Sequence, residues 1–438
     1  MAKQTTDYES LWRSIEQAGN INSYIESQLR ELGYLVERRD TDGMSKRKLA
    51  DYKKSLKAEA EEKRRLKRQV WKAYQTKHIV HLGEGVYWND LNNFDRWDLD
   101  EPEKRASENE LPPLDKPSDL AEMLNLSIPQ LRWLAFHRDA ATSIHYTRFT
   151  IPKRDGTERE IWAPLPILKE AQRWILFNIV EKLLVHGAAH GFLAGRSIAT
   201  NASIHTDSRI ILKMDMRNFF PTVTYRRVKG IFRKAGYREQ IATLLGLICT
   251  ESPREIIEHQ DKKYFVSLGP RSLPQGAPTS PGISNAICLK LDGRLSGLAK
   301  KFGWRYTRYA DDLTFSLPNN TKGKTNLGAL CGCVKKIVAD EGFLVHPDKT
   351  RVIRKGSSQR VTGLVVNDKG APRATRTVRR NIRAAINNLS NGKSLREGES
   401  LDTLRGMAAF ISMTDRELGN KLMKQINEID RVEPKKIS

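Results

Sequence analysis

Apolar residues near the N-terminus recur at three- and four-residue steps: Trp12, Ile15, Ile21, Tyr24, Ile25, Leu29 and Leu32. That spacing predicts helix over residues 1–40. Asp42-Gly43 predicts a turn. Residues 45–77 predict a second helix, dense in Lys, Arg and Glu, with a narrow apolar seam of Leu49, Tyr52, Leu56, Leu66, Val70 and Tyr74. Two readings stand for it: a solvated hairpin partner of the first segment, or an arm lying on phosphates. Residues 89–116 are polar, acidic and Pro-containing, which reads as a linker. Short helices follow at 119–124 and after Ser127, a cap beside Pro129.

From Arg148 the pattern changes to strands. Residues 148–152 and 158–163 flank Lys153-Arg154-Asp155-Gly156, a hairpin signature. Helices are predicted over 168–184, 225–235, 280–302 and 326–341, strands over 209–215 and 360–366, and a second hairpin over 304–317. Residues 375–430 read as basic helices, interrupted near 392–398. A fold of mixed helices and strands, α+β in class, is the expectation.

Composition adds a partner to this outline. The chain has 438 residues, 39% hydrophobic and 29% charged, enough for two to four packed units, and its formal net charge is +23. Such a surplus repels itself and is naturally neutralised by a polyanion, nucleic acid before an acidic membrane surface. The best apolar run, 174–185, is interrupted by Glu181 and Lys182 and is shorter than the ~20 residues of a spanning helix. No membrane partner is expected. The polar start lacks a signal core, and cysteines at 249, 288, 331 and 333 lack CxxC spacing. A cytoplasmic protein with free thiols is the expectation.

Candidate chemistry lies in carboxylates at strand ends. The apolar run Ile210-Ile211-Leu212-Lys213-Met214 ends in Asp215. Tyr309-Ala310-Asp311-Asp312 puts two Asp at the tip of a hairpin between β-formers. Adjacent like charges are mutually unfavourable, and a bound cation is the usual compensation. Nucleotidyl transfer needs two divalent ions ~3.5–4 Å apart, and hard ions such as magnesium take oxygen ligands. An ordinary Asp-containing turn would also fit the second segment taken alone. Phe219 and Phe220 follow Asp215; Phe219 reads as core, while Phe220 faces the nucleotide and could exclude a 2′-hydroxyl. Between the two carboxylate segments, Gln275-Gly276 lies among small residues that permit close backbone approach.

In this order the pieces resemble the reverse transcriptase palm. Asp215 with Phe219-Phe220 is similar to that family's first catalytic motif, Gln275-Gly276 to its nucleotide-contacting loop, and Tyr309–Asp312 to its YxDD turn. The resemblance covers roughly residues 118–430. It implies a right hand with an α-helical extension: residues 1–88 the basic helical extension, 89–117 the linker, 118–208 fingers, 209–366 palm with finger insertions, 367–438 thumb. Asp215, Asp311 and Asp312 would bind two magnesium ions. Lys153 and Arg159 would reach the triphosphate, and Arg376, Arg379, Arg380 and Arg383, at helical spacing, would track phosphates.

Two further segments resemble one subfamily, the retron reverse transcriptases in their longer, myxobacterial-type form. Asn201-Ala202-Ser203-Ile204-His205 matches the NAxxH motif, and Val361-Thr362-Gly363 the VTG motif, both assigned to RNA binding. The resemblance implies a cognate structured non-coding RNA as template and primer, dNTP substrates, and synthesis from an internal guanosine 2′-hydroxyl. The product would be a branched RNA–DNA hybrid (msDNA) used in anti-phage defence, with an effector protein as a further partner. Other readings stay open: a group II intron-like, diversity-generating or abortive-infection reverse transcriptase, a non-catalytic RNA scaffold, or a toxin subunit. An intron enzyme would carry a longer splicing region, and a scaffold has no need of clustered carboxylates.

Overall fold

The computed structural model describes residues 7–89, 95–152, 156, 158–321, 325–396 and 398–432. The chain forms two compact units, each assembled from segments distant in sequence. One comprises Met1–Thr147, Pro164–Trp174 and Phe232–Pro270, the other Arg148–Ala163, Ile175–Ile231 and Arg271–Ser438.

In the first unit, helices Tyr8–Gln17, Ile21–Glu31 and Lys46–Lys77 are capped by Asp7, Asn20 and Ser45, whose side chains accept backbone N–H groups. They close on a small core of Ile15, Ile25, Leu29, Leu66, Val70 and Ala73. Lys46–Lys77 packs on the two shorter helices through Leu66, Val70 and Ala73, while Leu49, Tyr52, Leu56 and Tyr74 of its seam are half-buried. Helix Glu239–Ile248 is buried along its whole length. A hairpin of Arg254–His259 and Lys262–Ser267, unpredicted from the sequence, turns through Gln260 and Asp261, both at positive φ.

The expected linker is corrected. It contains helix Pro102–Glu108 and buries Leu111 and Leu114. A Cβ on Gly236 would lie 2.3 Å from the Ala106 nitrogen, so that contact admits only glycine. Composition alone missed this because the apolar residues that anchor the segment are few and widely spaced.

The second unit is built on an antiparallel sheet. Its strand order is Arg305–Tyr309, Asp312–Pro318, Ser208–Asp215, Arg351–Arg354. Ile211, Leu212, Met214, Leu313 and Phe315 fill its faces. The single helix predicted over 280–302 is two, Ser280–Ile287 and Leu289–Lys301, meeting at Cys288. Three C-terminal helices, Arg376–Ser390, Leu401–Ser412 and Arg416–Val432, make a bundle around Ile382, Leu404, Ile411 and Ile426. Among the described residues, no helix is long and apolar enough to cross a membrane.

Candidate active site

Strand alternation brings the carboxylates together. Asp215 is the last residue of Ser208–Asp215 and stands directly opposite Asp312 in the antiparallel ladder. Tyr309 pairs with Asp312, so Ala310 and Asp311 form a two-residue turn. The Met216 N–H donates to the Asp311 carbonyl at 2.9 Å, tying the turn to the neighbouring strand. All three acids thus lie at one end of the sheet.

The turn is strained and clamped. Ala310 has φ +54°, a left-handed conformation that costs a non-glycine residue about 1 kcal/mol or more. Its carbonyl accepts from Arg308 Nη1 at 3.1 Å. Arg308 has no exposed surface. Its guanidinium donates to both Asp292 oxygens at 2.8–3.1 Å and to Asn285 Oδ1 at 3.0 Å. Tyr306 Oη also donates to Asp292, at 2.8 Å. Gly191 seals the other side, since a Cβ there would lie 3.0 Å from the Ala310 nitrogen.

Charge at this end is incompletely balanced. Lys213 Nζ is 2.8 Å from Asp312 Oδ2, and Lys349 Nζ is 3.2 Å from Asp215 Oδ1. Burial, then the neighbouring Asp215 charge, holds the Asp311 carboxyl above its ordinary range. Burial also raises that of Asp312, against the pull of Lys213. Two ammonium groups for three crowded carboxylates leave a deficit that divalent cations would fill. The all-oxygen donor set suits hard ions. Among the described residues no three ligating side chains close into a ready cage, but magnesium takes only one or two carboxylates with phosphate and water.

Phe219 is buried against Phe343, ring centroids 5.5 Å apart, whereas Phe220 is half-buried. The Gln275 carbonyl accepts from Trp162 N–H at 2.7 Å. Gly276 has φ +119°, and a Cβ there would sit 2.7 Å from the Trp162 carbonyl oxygen, so only glycine fits. Strand Glu158–Pro164, on which this loop rests, carries Arg159 exposed. Lys153 lies outside the described residues.

The two short motifs come together away from the carboxylates in sequence. Helix Ile198–Ser203 packs on the hairpin Arg360–Val361/Leu364–Val365 through Ala202, Val361 and Leu364. Thr362 and Gly363 form its turn, both at positive φ. Asn201 Nδ2 reaches Thr362 Oγ1 at 3.5 Å, and that hydroxyl donates to the Ile198 carbonyl. His205 has no exposed surface, and its ring nitrogens are each 2.7 Å from Ser316 Oγ and Thr307 Oγ1. Asn201 is 1% exposed and Val361 fully buried. Direct RNA contact through Asn201, His205 and Val361 is therefore corrected: buried side chains brace sheet and hairpin here. Thr362 and Gly363 remain partly or fully exposed. On helix Arg376–Ser390, Arg376, Arg380 and Arg383 are exposed and Arg379 half-buried.

Sequence reasoning missed Lys213, Lys349, Arg308 and Asp292. Lys213 had a signal: two residues before Asp215, it shares that face of the strand. Arg308 showed only as a charge inside a β-forming run. Asp292 and Lys349 had none, because tertiary packing alone brings them near.

Asp311, in its strained turn, and the facing Asp312 and Asp215 make an all-oxygen cluster at the sheet end, and residues 151–367, which contain it, match the family described as reverse transcriptase (RNA-dependent DNA polymerase). The chain is 51% identical over 428 residues to the Retron Mx162 reverse transcriptase of Myxococcus xanthus, covering 95% of this chain and 88% of that protein. It is 40% identical to the Retron Mx65 enzyme of the same organism, over 70% of each chain. It is 32% identical to the Retron Ec86 reverse transcriptase of Escherichia coli, over 73% of this chain and 91% of that one. The chain belongs to the retron reverse transcriptases and is an RNA-directed DNA polymerase.

Proposed function

We propose that this enzyme copies a cognate structured non-coding RNA into DNA, starting from the 2′-hydroxyl of an internal guanosine. The product is a branched RNA–DNA hybrid that serves anti-phage defence together with an effector protein. One observation carries the catalytic part: Asp215 and Asp312 face each other in the ladder with Asp311 in the adjoining turn. Family membership supports the priming chemistry and the biological role.

In this reading the four-stranded sheet is the palm and the C-terminal bundle the thumb. Asp215, Asp311 and Asp312 would hold two magnesium ions. Bound there, the ions would activate the attacking hydroxyl and neutralise the leaving oxygen. Phe220 packs against the incoming sugar, and the Gln275-Gly276 loop lies along the nascent base pair. Lys153 and Arg159 offset charge on the triphosphate. Arg376, Arg380 and Arg383 grip the duplex backbone. Thr362 and Gly363 present the hairpin tip to RNA, and Asn201, His205 and Val361 set its position from beneath.

The test is recovery of nucleic acid with the purified enzyme expressed beside its neighbouring non-coding RNA. The expected product is DNA that stays joined to RNA after protease treatment and separates on treatment with a 2′,5′-debranching enzyme. DNA bearing a free 5′ end from the outset would reject the priming chemistry and keep the polymerase.

A further inference from the structure

Helix Lys46–Lys77 carries a feature that the polymerase reading leaves unused. From Lys63 to Lys77 it has no acidic residue, and Arg64, Lys67, Arg68 and Trp71 fall on one face at three- and four-residue steps. All four are exposed, Trp71 by 50%. Three other cations of this stretch are engaged: Arg65 bonds Glu62, Lys77 pairs with Glu9, and Lys72 lies over the Tyr8 ring. Arg64, Lys67 and Arg68 have no such acidic partner among the described residues.

The aromatic end is preorganised. Trp71 stacks on Tyr74 with planes 9° apart, and Tyr74 stacks on His78 at 4.0 Å with planes 5° apart. Trp12 meets both inner rings edge-on, at 5.5 and 5.3 Å. Three parallel rings thus end in an indole open to solvent. Two hollows run along this face and share Lys67. One, of about 850 Å³, is lined by Arg64, Arg65 and Arg68 together with Glu61 and Glu62, the latter bonded to Arg65; the other, of about 660 Å³, by Trp71, Tyr74 and Trp88.

A single exposed Trp is unremarkable on a soluble protein. This one caps a rigid ring stack whose neighbours along the helix are unpaired cations. Arg64 and Trp71 are seven residues apart, about 10 Å along a helix, which suits one or two nucleotides of an extended strand. The cations lie to one side of the ring stack and the indole closes its end, and an apolar protein groove would leave those cations unmet. Base stacking with flanking phosphate neutralisation satisfies both.

We infer that this helix face is a second nucleic-acid site, which takes unpaired RNA by stacking a base on Trp71 and seating its phosphates on Arg64, Lys67 and Arg68. RNA as the occupant rests on the polymerase reading, since unpaired template is the single strand this enzyme must keep close.

Crosslinking of the full chain to a short unstructured RNA bearing photoreactive thiouridine tests it. Crosslinks are expected on the peptide that contains Trp71. Trp71→Ala should weaken binding about tenfold, and Trp71→Phe should retain most of it. Arg64→Glu with Lys67→Glu and Arg68→Glu should flatten the slope of log affinity against log salt by about 2. The variants should keep the wild-type urea midpoint, and the wild-type chain should extend a DNA primer annealed to an RNA template. Wild-type affinity in Trp71→Ala, equal loss in the Ala and Phe variants, or tighter binding of the same sequence as DNA would each overturn the site. Failure of the wild-type chain to extend the primer would instead overturn the polymerase reading and leave the crosslink to stand.

Discussion

The end of the sheet and the face of helix Lys46–Lys77 are two concentrations of like charge handled in opposite ways. At the sheet end, Asp215, Asp311 and Asp312 are half-buried, opposed by two lysines and fixed by a fully buried Arg308–Asp292 network. On the helix, the cations stand in water above a small core of Leu66, Val70 and Ala73. In the proposed active site, bond-making chemistry needs charge held within a fraction of an ångström, which buried partners supply. In the proposed RNA site, holding a flexible polymer needs charge free to meet phosphates, which exposure supplies.

The largest test of this contrast is at the carboxylates. Asp311→Ala with Asp312→Ala should lower dNTP incorporation on a primed RNA template by about 10³-fold or more, the scale of losing metal ligation. Filter binding of single-stranded RNA should change little. Comparable losses in both assays would erase the division between the two regions.

Next in size is the clamp. Arg308→Ala leaves the Asp292 carboxylate buried and unpaired, which should destabilise the fold by about 3–5 kcal/mol in urea unfolding. Incorporation should fall even at temperatures where the variant is folded, because the Ala310 carbonyl loses its donor. A folded variant with full activity would show that the turn needs no clamp.

A smaller effect is expected at the buried histidine. His205→Ala strands two buried hydroxyls and should lose about 2–4 kcal/mol while leaving RNA affinity at a permissive temperature unchanged. Lost affinity at constant stability would restore His205 as a contact residue. Burial, then Arg305, pushes the His205 pKa down from 6.5 to about 3, and burial with Arg196 pushes His190 down to about 4. Both contribute stability that is complete above pH ~6.5 and lost as pH falls toward those values. Urea midpoints measured from pH 7 to pH 4 should decline, less steeply in His205→Ala.

The mildest effect concerns pH and catalysis. Asp311 and Asp312 are raised, so their neutral forms persist to higher pH than in an ordinary Asp. For stability the sign is opposite to that of the histidines: their contribution is present at low pH and lost as pH rises through the raised values. Ion binding needs the charged forms, so incorporation should fall on mild acidification and recover partly with added magnesium. A flat profile down to the usual Asp range would contradict the crowding of these groups.

Much of the site was legible because it obeys short periods. Asp215 closes an apolar strand, and Tyr309–Asp312 lies between β-formers, so alternation alone puts the acids at strand ends. Phe219 and Phe220 divide into core and half-buried as their positions suggest. The Asn201–His205 and Val361–Gly363 segments were visible as motifs but not as one structure, because residues 161 apart in the chain meet through Asn201 and Thr362. The segment read as a linker was illegible for a related reason: its anchors are Ala106, Leu111 and Leu114, too sparse to set a period.

The sequence by itself determined the reaction class and family, the positive balance, and the acids at the strand ends. Those depend on residue identity at short spacing. Only the tertiary structure decided that Arg308 and Asp292 hold the turn, that His205 braces the sheet, and that Arg64, Lys67, Arg68 and Trp71 form one open face. Burial and the pairing of charges depend on which distant segments pack together, and no local pattern encodes that.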